Sequence, residues 1–295
     1  MRRGATPLRA ALLLAAGVAA FLPGRAAMAD PHPDAARIVA IGGAVTETVY
    51  ALGQQDRLIA RDSTSVFPPE AMALPDIGYM RQLSPEGVLS VGPDLILAGD
   101  GAGPPEVVQL LREAGVGFEP IPSGFDADGA AGKITAVAAA LGVPDKAAPL
   151  LAALQADLDR LAERKAASGP LKRVMFILTL QDGRIMASGQ GTAADEIIRL
   201  AGAENAVQGF QGYKILSDEA ASVAAPDVIL MMNRGPETSQ HGAPDDQLLT
   251  MPALVNTPAA ARGAVLRMDG GFLLGFGPRT GRAALALHDA IYPAP

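Results

Sequence analysis

Part of this chain occurs twice, and that constrains its fold more than any other feature. Residues 84–97 (SPEGVLSVGPDLIL) and 217–230 (SDEAASVAAPDVIL) recur at an offset of 133 positions. Six of the fourteen positions are identical: Ser84/Ser217, Glu86/Glu219, Pro93/Pro226, Asp94/Asp227, Ile96/Ile229 and Leu97/Leu230. Each copy predicts a short helix, a Pro-Asp stop and a buried strand. Ser is a good N-cap, Glu two residues later suits the positive helix end, and Pro ends the helix. A weaker echo pairs the strand run 37–41, Gly42-Gly43 and a helix over 46–52 with the strand run 173–178, Gly189-Gln190-Gly191 and a helix over 193–201. A hairpin turn at Gln181-Asp182-Gly183 interrupts the second copy, and Gly53 and Gly202 close the two helices. A repeated helix–strand unit predicts an α/β fold of two Rossmann-like lobes, each with a mostly parallel sheet.

Between the copies, Leu150, Leu151, Leu154, Leu158 and Leu161 recur at steps of three and four, with charged residues interspersed. This is an amphipathic helix of about six turns at ~3.6 residues per turn, ended by Gly169-Pro170. It reads as a long backbone helix joining the lobes; the other reading is one more surface helix of a single domain. The chain divides accordingly into residues 1–29, an amino-terminal lobe over 30–143, a connecting helix over 144–168 and a carboxyl-terminal lobe over 169–295.

Residues 1–29 have the layout of a secretory signal peptide: a positive start at Arg2-Arg3, a charge-free apolar run over 10–22, and Ala27-Met28-Ala29 before Asp30. An uncleaved anchor is the alternative. The expectation is a soluble protein exported to the periplasm. Taking away the four arginines of the leader leaves 20 basic against 31 acidic residues, a formal charge of −11. That balance argues against a nucleic-acid binder, which needs a basic stripe. Zero Cys excludes disulfides, thiolate metal sites and Cys nucleophiles.

Enzyme signatures are weak. Residues 189–194 (GQGTAA) match a dinucleotide fingerprint, but the acid expected ~20 residues later is missing. Neither a G-x-S-x-G elbow nor an H-E-x-x-H pair occurs. Of the three histidines, His32 falls in a frayed mature amino terminus, His288 on a carboxyl-terminal helix with a partly exposed structural role, and His241 in the polar loop 233–247. His241 alone is plausibly near a cleft, as an outside candidate for a ligand.

Residues 74–86 (LPDIGYMRQLSPE), 191–202 (GTAADEIIRLAG), 212–217 (GYKILS) and 273–280 (LLGFGPRT) resemble the haem-binding subunit of bacterial ABC importers. The likeness covers nearly all of residues 36–292. It implies a non-enzymatic carrier that holds haem b in the inter-lobe cleft, with the Tyr79 oxygen on the iron. A free phenol has a pKa near ~10, so ligation at neutral pH needs the ferric ion or a cation nearby. Arg81 lies on the same side as Tyr79 if the segment is extended, and Arg234, after the second Pro-Asp strand, could meet a propionate or the phenolate. Tyr213 and Lys214 flank the cleft entrance. Met231 or Met232 could line an apolar wall. Glu86 and Glu219, one per lobe, are the acids that such carriers dock onto arginines of an inner-membrane ABC permease. Each role has a plainer alternative: a turn tyrosine packed on a lobe edge, solvated arginines, surface or packed Tyr213 and Lys214, core methionines, ordinary first-turn acids. Some family members add a His where this chain has Leu180, which puts a second axial ligand or a two-haem arrangement in doubt. The resemblance further implies a monomer, partnered with haem and the permease, indirectly with an outer-membrane receptor system, and not with nucleic acid. A carrier of ferric siderophore or cobalamin, an exported enzyme acting on an iron chelate, and a structural or sensor protein remain alternatives.

Overall fold

The computed structural model describes residues 30–122, 124–233 and 244–293. Its strands are β1 (Ile38–Ile41), β2 (Leu58–Arg61), β3 (Leu95–Gly99), β4 (Gly117–Ile121), β5 (Arg173–Gln181), β6 (Arg184–Ser188), β7 (Glu204–Asn205), β8 (Tyr213–Ile215), β9 (Val228–Asn233) and β10 (Val265–Asp269). Its helices are α1 (Gly43–Ala51), α2 (Pro85–Leu89), α3 (Pro105–Glu113), α4 (Ala127–Ala140), α5 (Ala147–Ala166), α6 (Ala193–Leu200), α7 (Asp218–Ala224), α8 (Asp245–Leu249), α9 (Pro258–Arg262), α10 (Gly270–Leu274) and α11 (Thr280–Ile291).

The strands form two sheets. In the amino-terminal lobe the order is β2-β1-β3-β4, all parallel. In the carboxyl-terminal lobe it is β10-β9-β5-β6-β8, with β7 beside β5. There β5, β7, β9 and β10 are parallel, while β6 runs antiparallel to its two neighbours, β5 and β8. The β5–β6 hairpin turns at Asp182 (φ 50°) and Gly183 (φ 75°), the paired positive φ of a tight hairpin.

The repeat has a structural cause. Asp94 accepts the backbone N–H of Ala36 and Arg37, where β1 begins. Asp227 accepts the N–H of Arg173, where β5 begins. In return Arg37 donates to the carbonyls of Val91 and Gly92, and Arg173 to that of Ala224. Each Pro-Asp therefore ties the strand after the repeat helix to the first strand of its lobe. Ser84 and Ser217 cap their helices through the N–H of Gly87 and Ala220.

The long helix α5 sits between the two hydrophobic cores. Leu154 is buried in the amino-terminal core and Leu161 in the carboxyl-terminal one, while Leu158 packs against both. One helical face thus welds two cores, with α11 lying against it. Buried Asp157 interrupts that face, paired with Arg160 at 2.6 Å and facing Arg282 at 3.8 Å. No helix among the described residues is long and apolar enough to cross a membrane.

Candidate functional site at the lobe junction

Tyr79 sits on a loop fastened on both sides. After β2 the chain passes buried Asp62, whose carboxylate accepts from Gly42 N, Ser65 Oγ, Thr64 N and Thr64 Oγ1. It then returns along Arg61: Arg61 N donates to Pro75 O and Ile77 N to Arg61 O. Ser63 N donates to Gly78 O, and beyond Tyr79, Gly103 N donates to Met80 O. Gly78 has φ +99°, a conformation that needs glycine. The Tyr79 ring is 44% exposed, so a rigid backbone presents an accessible phenol. Gln82 N donates to Tyr79 O at 2.8 Å, closing a turn. The segment is therefore not extended, and strand alternation is not what relates Arg81 to Tyr79.

Two further candidates marked by the resemblance, Tyr213 and Lys214, belong to the other lobe. Tyr213 pairs with Ser188 across β6 and β8, and its ring meets Phe176 edge-on at 6.5 Å. Burial pushes the Tyr213 phenol up; hydrogen bonds with Thr192 and Ser188 and the charge of Arg81 oppose that. Two conclusions follow. Tyr213 is a neutral phenol at neutral pH, suited to hydrogen bonding and stacking rather than to anionic ligation. The charge of Arg81, on the Tyr79 loop, is felt at Tyr213 across the lobes. Lys214 is exposed, with its ammonium 5.3 Å from the centre of the Phe210 ring.

The two lobes are riveted together by side chains. Arg279 donates from Nε and Nη2 to the two oxygens of Glu47 at 2.9 and 2.8 Å, and its guanidinium stacks 3.4 Å from the centre of Phe67. Glu47 and Phe67 belong to the amino-terminal lobe, Arg279 to the other. Lys133 of α4 is buried and donates to the carbonyls of Gly275 and Phe276. Burial lowers its pKa to about 8, against the attraction of Glu47 and Asp100. Phe125 packs on Phe276 at 5.6 Å. The 273–280 segment, which the sequence marked only by resemblance, is thus the carboxyl-terminal half of the lobe junction. Phe67 and Phe125, which meet Arg279 and Phe276, remain 38% and 39% exposed along it, apolar and aromatic surface of the kind found where a flat organic ligand binds.

The remaining sequence candidates fall as follows. Glu86 and Glu219 are exposed first-turn acids of α2 and α7; the backbone N–H and Ser217 hold the Glu219 carboxyl below its usual range. Arg234 and His241 lie outside the described residues. Leu180 is half-buried against a core cluster, so its position is apolar. Met231 is fully buried in core and Met232 packs against the neighbouring cluster. His32 is not frayed: its N–H donates to Ala140 O and its Nε2 meets Glu119 at 2.9 Å. His288 is buried rather than partly exposed, with Nδ1 at Ala201 O and Nε2 at Ser168 Oγ. Among the described residues no group of three or more His, Asp or Glu side chains is arranged for a metal ion. Gly189 of the 189–194 segment has a packing reason to be glycine, because Phe210 occupies the space its side chain would take. The hollow bounded by Leu171, Gln190, Asp195, Arg199 and Gln208 lies within one lobe, apart from Tyr79.

The inputs sequence reasoning missed are Glu47, Phe67, Lys133 and Arg279. Only the acid at a buried helical position of α1 and the lysine within an alanine-rich helix hinted at them.

Comparison with known proteins agrees with this architecture. The family described as periplasmic binding protein matches residues 38–270. The periplasmic haem-binding protein BhuT, solved with two haems, is 40% identical, with a TM-score of 0.81 covering 86% of this chain and 97% of that one. The periplasmic haem-binding protein RhuT from Roseiflexus sp. RS-1, in apo form, is 36% identical, with a TM-score of 0.81 covering 87% and 97%. A vitamin B12-binding protein of Vibrio cholerae is 28% identical over 72% of this chain and 74% of its own length. An uncharacterised ABC-transporter substrate-binding lipoprotein of Bacillus subtilis, YvrC, is 26% identical over 66% of this chain, a match spanning 62% of that lipoprotein.

Proposed function

Because the chain belongs to the periplasmic binding protein family, we propose that it captures haem at the lobe junction and delivers it to an ABC importer. It is a binding protein, not an enzyme, as are its family and its solved relatives. The observation that carries the haem reading is Tyr79, an accessible phenol on a doubly fastened loop. Ferric haem takes a Tyr oxygen as axial ligand. Arg81, on the same loop as Tyr79, is a cation supporting the bound haem; Tyr213, neutral and hydrogen-bonded, meets the macrocycle from the other lobe. Lys214 and Arg234 are the cations for the propionates. Haem b is the form read here, and Tyr79 is the iron ligand. The likeness to BhuT and RhuT, at 40% and 36%, supports haem over the more distant B12 relative.

In this reading residues 1–29 are a cleaved export signal and the mature monomer works in the periplasm, with haem reaching it indirectly through an outer-membrane receptor system. Glu86 and Glu219, one on each lobe, dock onto permease arginines. The α5 weld and the Glu47–Arg279 rivet resist wide hinge motion, so capture needs only slight opening and release needs the permease to pull the lobes apart or to displace Tyr79. Titration of the mature protein with haemin, cobalamin and a ferric siderophore tests the reading. Saturable haemin binding with a shifted Soret band is expected. Tight binding of cobalamin or siderophore with weak, non-saturating haemin uptake would overturn it.

A further inference from the structure

We propose that Asp76, braced by Arg61, is the positioning residue for Tyr79. The inference rests on the haem reading above and extends it to two residues outside the haem contact. Arg61 ends β2 and is buried, and its guanidinium ties three segments of the loop region together. It donates from Nε to Ala71 O at 3.2 Å, and from Nη1 to Asp62 O at 3.0 Å and to Asp76 Oδ2 at 3.1 Å. Asp76 uses its other oxygen, Oδ1, to accept the N–H of Gly78 at 2.8 Å. One carboxylate therefore joins the end of β2, the edge strand of the amino-terminal sheet, to the residue directly before Tyr79.

The placement matters because of what Gly78 must do. Its φ of +99° turns the chain so that Tyr79 projects outward. Glycine reaches that conformation freely but also leaves it freely. A hydrogen bond to its N–H from a carboxylate that is itself anchored removes that freedom. The backbone bonds of Arg61 with Pro75 and Ile77 lay residues 75–77 along β2, and the Arg61–Asp76 bridge runs parallel to it. Downstream, the Gly103 bond to Met80 O fixes the far side. Asp76 completes the frame on the near side.

The pair has little value as a stabiliser. The Asp76 side chain is 43% exposed, and ion pairs so open to water add little to stability. Its effect is on where a phenol oxygen sits relative to an iron atom. The exposed partner is the one to change, since replacing buried Arg61 risks the fold.

The experiment compares wild type, Asp76→Ala, Asp76→Asn and Tyr79→Phe by apo thermal melting, haemin titration and the absorption bands of ferric tyrosinate. Asp76→Ala is expected to melt within a few degrees of wild type. Its haemin affinity is expected to fall about tenfold or more, with loss of part of the tyrosinate band. Asp76→Asn keeps an acceptor for Gly78 N–H but loses the ion pair, and should lie between. If Asp76→Ala binds haemin within twofold of wild type with an unchanged spectrum, while Tyr79→Phe loses the band, the positioning role is wrong and the haem reading stands. If Tyr79→Phe itself binds with the wild-type spectrum, the ligand assignment is wrong, and the positioning role falls with it.

Discussion

Removing Glu47 should cost this protein more stability than any surface acid, and the structure says how much. The Glu47 side chain is 9% exposed and that of Arg279 is 16% exposed. Both carboxylate oxygens are engaged, at 2.9 and 2.8 Å. Deleting one partner of such a pair leaves a guanidinium charge in a place poor in water, at a typical cost of 3–5 kcal/mol. Arg279 keeps its stack on Phe67 at 3.4 Å, so the lower end applies to Glu47→Ala, about 3 kcal/mol. At roughly 2 °C per kcal/mol for a chain of this size, the apparent Tm should fall by ~6 °C. Scanning calorimetry of the apo protein measures it, with Arg279→Ala and the double variant completing a cycle. The double variant should lose less than the sum of the singles by ~1–3 kcal/mol. A fall below ~1 °C for Glu47→Ala, or strict additivity, would refute the claim that this pair fastens the lobes.

Further outcomes follow from the same geometry. Lys133 has its pKa lowered to about 8 by burial, so between about 8 and the ordinary lysine value the unfolded chain binds the extra proton and stability rises with pH. Urea melts at pH 7 and 9.5 should show a wild-type gain that Lys133→Met lacks; equal pH dependence in both contradicts it. A Cβ on Gly281 would lie 2.6 Å from Asp157 Cβ and 3.1 Å from Leu154 O, so Gly281→Ala should lose about 1–3 kcal/mol by forcing α11 off α5, measured by chemical denaturation, with no loss as the contrary result. Reversing both Glu86 and Glu219 to Lys should leave haemin affinity unchanged and abolish haemin uptake into vesicles carrying the permease; unimpaired uptake would remove these acids from the docking surface.

How far the sequence reads through to the fold depends on the range of the contacts. The repeat is legible because Asp94 and Asp227 each close a local helix–strand unit onto a backbone N–H. The α5 helix is legible because Leu154, Leu158 and Leu161 face two cores at regular spacing. Tyr79 is singled out by its resemblance-bearing motif, but the reason offered for Arg81, an extended segment, fails because Gln82 N folds back on Tyr79 O. His32 and His288 look peripheral by position and are instead held, by Glu119 and by Ala201 O and Ser168. The rivet is illegible for a physical reason. Arg279 meets Glu47 across 232 positions and Lys133 meets Phe276 across 143, and no periodicity or spacing records such pairings.

The most direct test of the account is resonance Raman spectroscopy of the ferric haem complex, excited in the ligand-to-iron band. Wild-type protein should show tyrosinate ring modes, and Tyr79→Phe should lose them together with most haemin affinity. The same tyrosinate modes persisting in Tyr79→Phe, or their absence from the wild-type complex, would contradict it.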